Sequence, residues 1–204
     1  MRSILLLVSV NFLIIMAGCE KPLGQTQVNV NWNTPQNTIK NIVVLDFNWA
    51  PPQLKLEPGY SSGFISDAGA VVSDMVALEL ISIKRYNIKD KGEIKRAVEE
   101  KQFQLSDLLA KGDYGLIGKL GKVDAVVIGR VSSANVYSIA NASQFECSYT
   151  CRCVSTATGD VLWSIGGEKS VSWTNKLGPY WLRTLTRELV QELDKKLQSP
   201  PNSQ

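Results

Sequence analysis

Cys147, Cys151 and Cys153 occupy odd positions in a segment that alternates like a strand. An extended chain turns residues of one parity to one face, so the three thiols share a side. Three thiolates so placed suggest a soft-metal site. Structural zinc, however, takes four ligands, and only three thiols are at hand. The chain contains no histidine to complete such a set. A disulfide is awkward as well. Residues two apart on a strand are roughly 6.6 Å apart at Cα, near the upper limit for bridging. The geometry favours three small buried hydrophobes, although unpaired thiols are unusual in an exported chain.

The absence of histidine also removes the commonest general base and the commonest zinc ligand. Serine–histidine and cysteine–histidine schemes are therefore excluded. Asp46, Asp67, Asp74 and Glu79 could be imagined as an acid–base set, but their spacing fits helix capping and solvated faces better. Gly112, Gly115, Gly118 and Gly121 recur beside Lys119. A phosphate-binding loop needs Ser or Thr after its lysine and must join a strand to a helix. Here Leu120 follows Lys119 and a strand comes next, so these read as glycines of helix ends and turns. No enzyme activity, metal or cofactor is expected.

The fourth cysteine, Cys19, has a different context. Arg2 is followed by a run from Ile4 to Ile15 that is apolar except for Ser9 and Asn11. Met16-Ala17-Gly18-Cys19 then closes the run. A positive start, an apolar core and a small-residue cleavage site form a secretory signal. The run is too short for the ~20 residues that span a bilayer. A cysteine right after the small pair resembles the bacterial lipobox, in which that residue is acylated and becomes the first of the mature protein. Lipidation is therefore expected at Cys19, with residues 1–18 removed. Glu20 rather than aspartate follows, a pattern associated in enteric-type bacteria with the outer membrane and its periplasmic face. One acyl chain holds only marginally, so the several chains of such an anchor give a stable attachment.

What remains is the size of one domain, long enough to bury a core. Apolar content is 44% and the net charge is +3, which gives no argument for a nucleic-acid partner. Residues 19–39, rich in Asn, Gln, Thr and Pro, read as a flexible tether. The domain covers 40–198, and 199–204 form a tail. Asn41–Asn48 reads as the first strand, covered on both faces because Ile42-Val43-Val44-Leu45 is continuously aliphatic. Trp49–Gly63 reads as a long loop. Ser66–Ile81 is a helix whose stripe is Ile65, Ala68, Val72, Met75 and Leu78. Tyr86–Lys89 is a strand, followed by helices at Lys91–Lys101 and Asp113–Leu120 with a short capped turn at Ser106 between them. Val123–Val131 is a buried strand. Asn135–Ile139, Gln144–Thr156 and Val161–Trp173 are further strands, the last two a hairpin around Gly159. Pro179–Leu197 closes the chain as an amphipathic helix. The order predicts an α/β (α+β) fold, a mixed sheet flanked by helices in a single domain.

Several strings in this order resemble the CsgG family, the curli-secretion lipoproteins and their relatives. They are Asn41–Phe47, Tyr86–Lys91 with Glu99–Ser106, Ile117–Gly129, and Ser155–Trp163. The resemblance implies a fold like the N-terminal domain of TolB. It also implies one of two roles. One is that of LpoB, a lipoprotein activator of a peptidoglycan synthase. The other is an oligomeric outer-membrane secretion pore built from long inserted hairpins. The join between Val131 and Gln144 is only about a dozen residues, and a membrane strand needs ~9–11 for one crossing. A non-catalytic adaptor that binds envelope proteins, with self-association open, is therefore the leading expectation. Trp49, Trp173 and Trp181 sit at element ends, where tryptophan serves either core packing or partner binding.

Overall fold

Ile42, Val43 and Val44 are all buried, yet they belong to two different cores. Successive side chains of a strand point to opposite faces, so such a run needs cover on both sides. The computed structural model, which describes residues 26–34, 36–51, 61–139, 142–174 and 178–200, supplies that cover.

In chain order the elements are β1 (Gln27–Val30), a 3-10 turn (Gln36–Thr38), β2 (Asn41–Val44), β3 (Ser61–Phe64), α1 (Ala68–Ser82), β4 (Asn87–Lys89), α2 (Lys91–Glu99), α3 (Leu105–Lys111), α4 (Tyr114–Gly121), β5 (Ala125–Ile139), β6 (Ala142–Ser155), β7 (Val161–Thr174) and α5 (Gly178–Gln198). The strands form one mixed sheet in the order β1-β7-β6-β5-β2-β4, with β3 added beside β5. β2 runs parallel to β4 and β5, and the other pairs are antiparallel. This is the α+β architecture expected from the element order.

Helices α1 and α5 cover one face. Val72, Val76 and Leu80 of α1 and Leu182, Leu185 and Leu189 of α5 meet Ile42, Val44, Tyr149 and Trp163 there. Helices α2 to α4 cover part of the other face, where Ile94, Val98, Leu108 and Ile117 meet Val43, Leu45, Val126 and Val154. Further along that second face the strands carry Arg130, Thr150 and Arg152, all exposed.

Four sequence expectations need correction. Residues 27–30 are not tether: β1 pairs with Ser164 and its neighbours on β7, and Val28 is buried in the larger core. One buried side chain in a short polar strand leaves almost no periodic signal. The strand at Asn41 ends at Val44, although Asn48 rejoins Arg130 of β5 through a single parallel bridge. The segment read as the loop Trp49–Gly63 ends in β3, which pairs with Asn135–Ser138. Finally, the supposed join after Val131 is strand: β5 passes a bulge between Val131 and Ser133 and continues to Ile139.

Candidate functional site

The three same-parity cysteines lie on β6 and do share a face. Cys147, Cys151 and Cys153 are free and buried in the larger core. Burial pushes the Cys147 thiol up to about 12 and raises those of Cys151 and Cys153 well above the usual thiol range. The thiolate is the nucleophile and the metal ligand, so thiols held protonated in apolar surroundings are inert packing groups. Among the described residues, no cluster of three or more His, Cys, Asp or Glu is placed to hold a metal ion.

The four acidic residues do not converge on one centre. Asp46 follows β2, and Asp74 is on the outer side of α1. Both accept from Lys91 Nζ at the start of α2, at 2.5 and 2.7 Å. Burial pulls the Lys91 ammonium down, but hydrogen bonds to Asp46 and Asp74 outweigh it and hold its pKa above the ordinary value. An amine nucleophile needs the opposite shift. Leu45, Asp46, Lys91, Gly92, Lys95, Glu99, Gln104 and Ser106 line an open hollow of about 480 Å³ there. Glu79 points toward α5, with Arg183 and Arg187 3.7 and 3.6 Å away. Asp67 stands at the N-cap of α1 without a side-chain cap bond.

The glycine series is structural. Gly112 ends α3 in the left-handed region, at φ 70°. Gly118 lies inside α4, where a Cβ would come 2.4 Å from Thr156 Cβ and 2.5 Å from its Oγ1. That threonine donates to the carbonyls of Val123 and Asp124 at 2.8 and 2.9 Å. The glycine thus lets α4 sit directly on the turn after β6.

The tryptophans divide. Trp181 is 4% exposed and packs in the larger core, with Lys169 Nζ 5.3 Å above its ring. Its indole is therefore a packing group, not an exposed partner contact. Trp49 is half-buried against the same core. The backbone of Trp173 is in β7, and its side chain lies outside the described residues, as does Cys19.

Among the described residues, the most exposed large apolar side chains are on α1, ahead of Phe64, Phe103 and Tyr180. Its inner side is Ala68, Val72, Val76 and Leu80. Met75 is half-buried, whereas Leu78 is 62% exposed and Ile81 52%. The expected stripe through Met75 and Leu78 is therefore rotated from the one that packs. A helix that is apolar all round normally has its whole circumference covered. The composition of α1 carried that signal, since few of its residues are polar.

No family model matches the chain, and no curated protein matches it by sequence. Solved structures do match in fold. The PelC dodecamer from Paraburkholderia phytofirmans is 12% identical, with a TM-score of 0.53 over 84% of this chain and 98% of that one. The lipoprotein GNA1162 from Neisseria meningitidis is 16% identical, with a TM-score of 0.53 over 77% of this chain and 99% of that one. At these identities the likeness is one of fold.

Proposed function

We propose that this chain is a CsgG-like lipoprotein, acylated at Cys19, held on the periplasmic face of the outer membrane, and without catalytic chemistry of its own. It acts by binding envelope proteins or a second copy of itself. The observation that carries this reading is the bare apolar stripe of α1, centred on Leu78 and Ile81. Two large aliphatic side chains in water on a well-packed helix fit an interface better than a surface. The lipobox-like string before Cys19 and the missing histidine support the anchor and the lack of catalysis. The fold neighbours support it more weakly, one being a lipoprotein by name and another crystallised as a dodecamer.

The test is a photo-crosslinking residue at position 78 in living cells, with one at Lys111 as control. An adduct specific to position 78, with an envelope protein or with the chain itself, is expected. Equal yields at both positions would refute the interface. Retention in the membrane after Cys19→Ser would refute the anchor.

A pore subunit is the alternative. The part of β5 beyond its bulge, Ser133–Ile139, is shorter than the ~9–11 residues of a membrane strand. Ala134 and Phe145 in this region are buried in the domain core. Both facts favour the adaptor.

A further inference from the structure

We infer that the uncovered end of the sheet binds the phosphate of an anionic lipid headgroup, through Arg130 on β5 and Arg152 on β6. Thr150 stands directly opposite Arg130 in the β5–β6 register, and Arg152 is two residues further along β6. The two arginines are therefore diagonal neighbours on one face, within reach of each other as long side chains. Like charges so placed repel, and both are exposed. Among the described residues neither has a carboxylate partner.

The surroundings fit an oxyanion. The arginines edge an open hollow of about 430 Å³ whose polar lining includes Gln27, Asn48, Thr150 and Ser164, and no Asp or Glu lines it. Hydroxyl and amide groups donate to phosphate oxygens, and the guanidinium fork matches them bidentately. Gly166 keeps the floor low, since a Cβ there would come 2.8 Å from Thr150 Cγ2. Two carboxylates further along this face, Glu168 on β7 and Glu146 on β6, stay outside its lining, and Glu168 lines the neighbouring hollow of about 260 Å³.

The chain's own layout selects the source of phosphate. Gln27 lines the hollow and follows Cys19 by eight positions. At most ~3.5 Å per residue, that stretch reaches about 28 Å. The step from phosphate to headgroup rests on acylation at Cys19, which keeps the hollow next to the lipid surface.

The test uses the full chain in neutral detergent with three soluble probes at matched concentrations: dihexanoyl phosphatidylglycerol, dihexanoyl phosphatidylcholine and inorganic phosphate. The Nε–Hε resonances of Arg130 and Arg152 are followed. Phosphatidylglycerol should shift both saturably, and the other two probes should need about tenfold more or greater. Removing charge-assisted hydrogen bonds costs about that factor each, so R130Q and R152Q should each weaken binding about tenfold and the double variant abolish it. Unchanged circular dichroism shows the variants folded; the single variants carry the test should the double one not fold. Equal binding of inorganic phosphate overturns the headgroup assignment, and binding that survives both substitutions, or no binding, overturns the site. Mass analysis of the N-terminal peptide reads the anchor separately. An acylated chain that ignores the probe refutes the site alone; an unacylated chain that binds it refutes the membrane source.

Discussion

The Tyr149 hydroxyl donates to Thr186 Oγ1 at 3.1 Å, joining β6 to α5 inside the larger core. Thr186 in turn donates to the Leu182 carbonyl at 2.8 Å. Both side chains are buried, so neither has ready access to water. Thr186→Val keeps the shape but leaves the tyrosine hydroxyl without its acceptor, at a cost of about 1–3 kcal/mol. Thr186→Ser should recover most of that loss. Urea unfolding of the two variants measures the difference, and equal midpoints would mean that the bond contributes nothing.

Helix α4 provides a contrast between neighbouring glycines. Gly118→Ala must push Thr156 off its two carbonyl partners and should cost about 1–3 kcal/mol by overpacking. At Gly115 the nearest atom to an added Cβ is Thr156 O at 3.5 Å, an ordinary contact. Gly115→Ala should be neutral or stabilising by up to about 1 kcal/mol through helix propensity. Thermal midpoints of the pair give the comparison.

Alkaline pH should unfold the domain through its thiols. Burial takes Cys147 from 9.0 to about 12 and raises Cys151 and Cys153 as well. A folded-state value above the unfolded one means that the unfolded chain releases its proton first as pH rises. Stability is therefore full below about pH 9 and falls between 9 and 12 for Cys147. The slope approaches about 1.4 kcal/mol per pH unit for each thiol. Buried Tyr86 and Tyr149, also raised, act in the same direction. Urea midpoints at pH 8, 9.5 and 10.5 should fall steadily. Cys147→Ala should flatten that fall, and an unchanged slope would remove Cys147 from the account.

Ile81→Glu should abolish the crosslink from position 78, and Leu78→Glu or Ile81→Glu any oligomer proposed for α1, each changing monomer stability by less than about 0.5 kcal/mol, as befits exposed positions. Size measurement in parallel with denaturant unfolding separates the two effects. A large stability loss would mean that the stripe is covered within the monomer.

Val28→Asp tests the first strand. Val28 is buried against the core and its carbonyl accepts from Lys196 Nζ at 2.7 Å. A charge there should destabilise the fold by several kcal/mol. Asn29→Asp, with its side chain on the opposite face of β1, should be nearly silent. Chemical denaturation of both decides whether these residues are domain or tether.

What the sequence disclosed follows from where periodicity is strong. The continuous aliphatic run Ile42–Leu45 announced a strand covered on both sides, and the leucines of α5 announced its buried stripe. The shared parity of Cys147, Cys151 and Cys153 placed them on one face. Residues 27–30 were illegible because pairing with β7 is a long-range property and only Val28 is fully buried. The packed side of α1 is not legible either, because an all-round apolar helix has no preferred face in its sequence. The arginine pair was hidden too, since Arg130 and Arg152 meet only through the β5–β6 register.

The edge position of β1 has a mechanical consequence. Any tension on the N-terminus enters the domain through a four-residue ladder to β7 and the seat of Val28. That ladder is the first part to peel under load. Its loss would bare Trp163–Gly166 of β7 and so lengthen the run of unpaired backbone groups at that margin of the sheet.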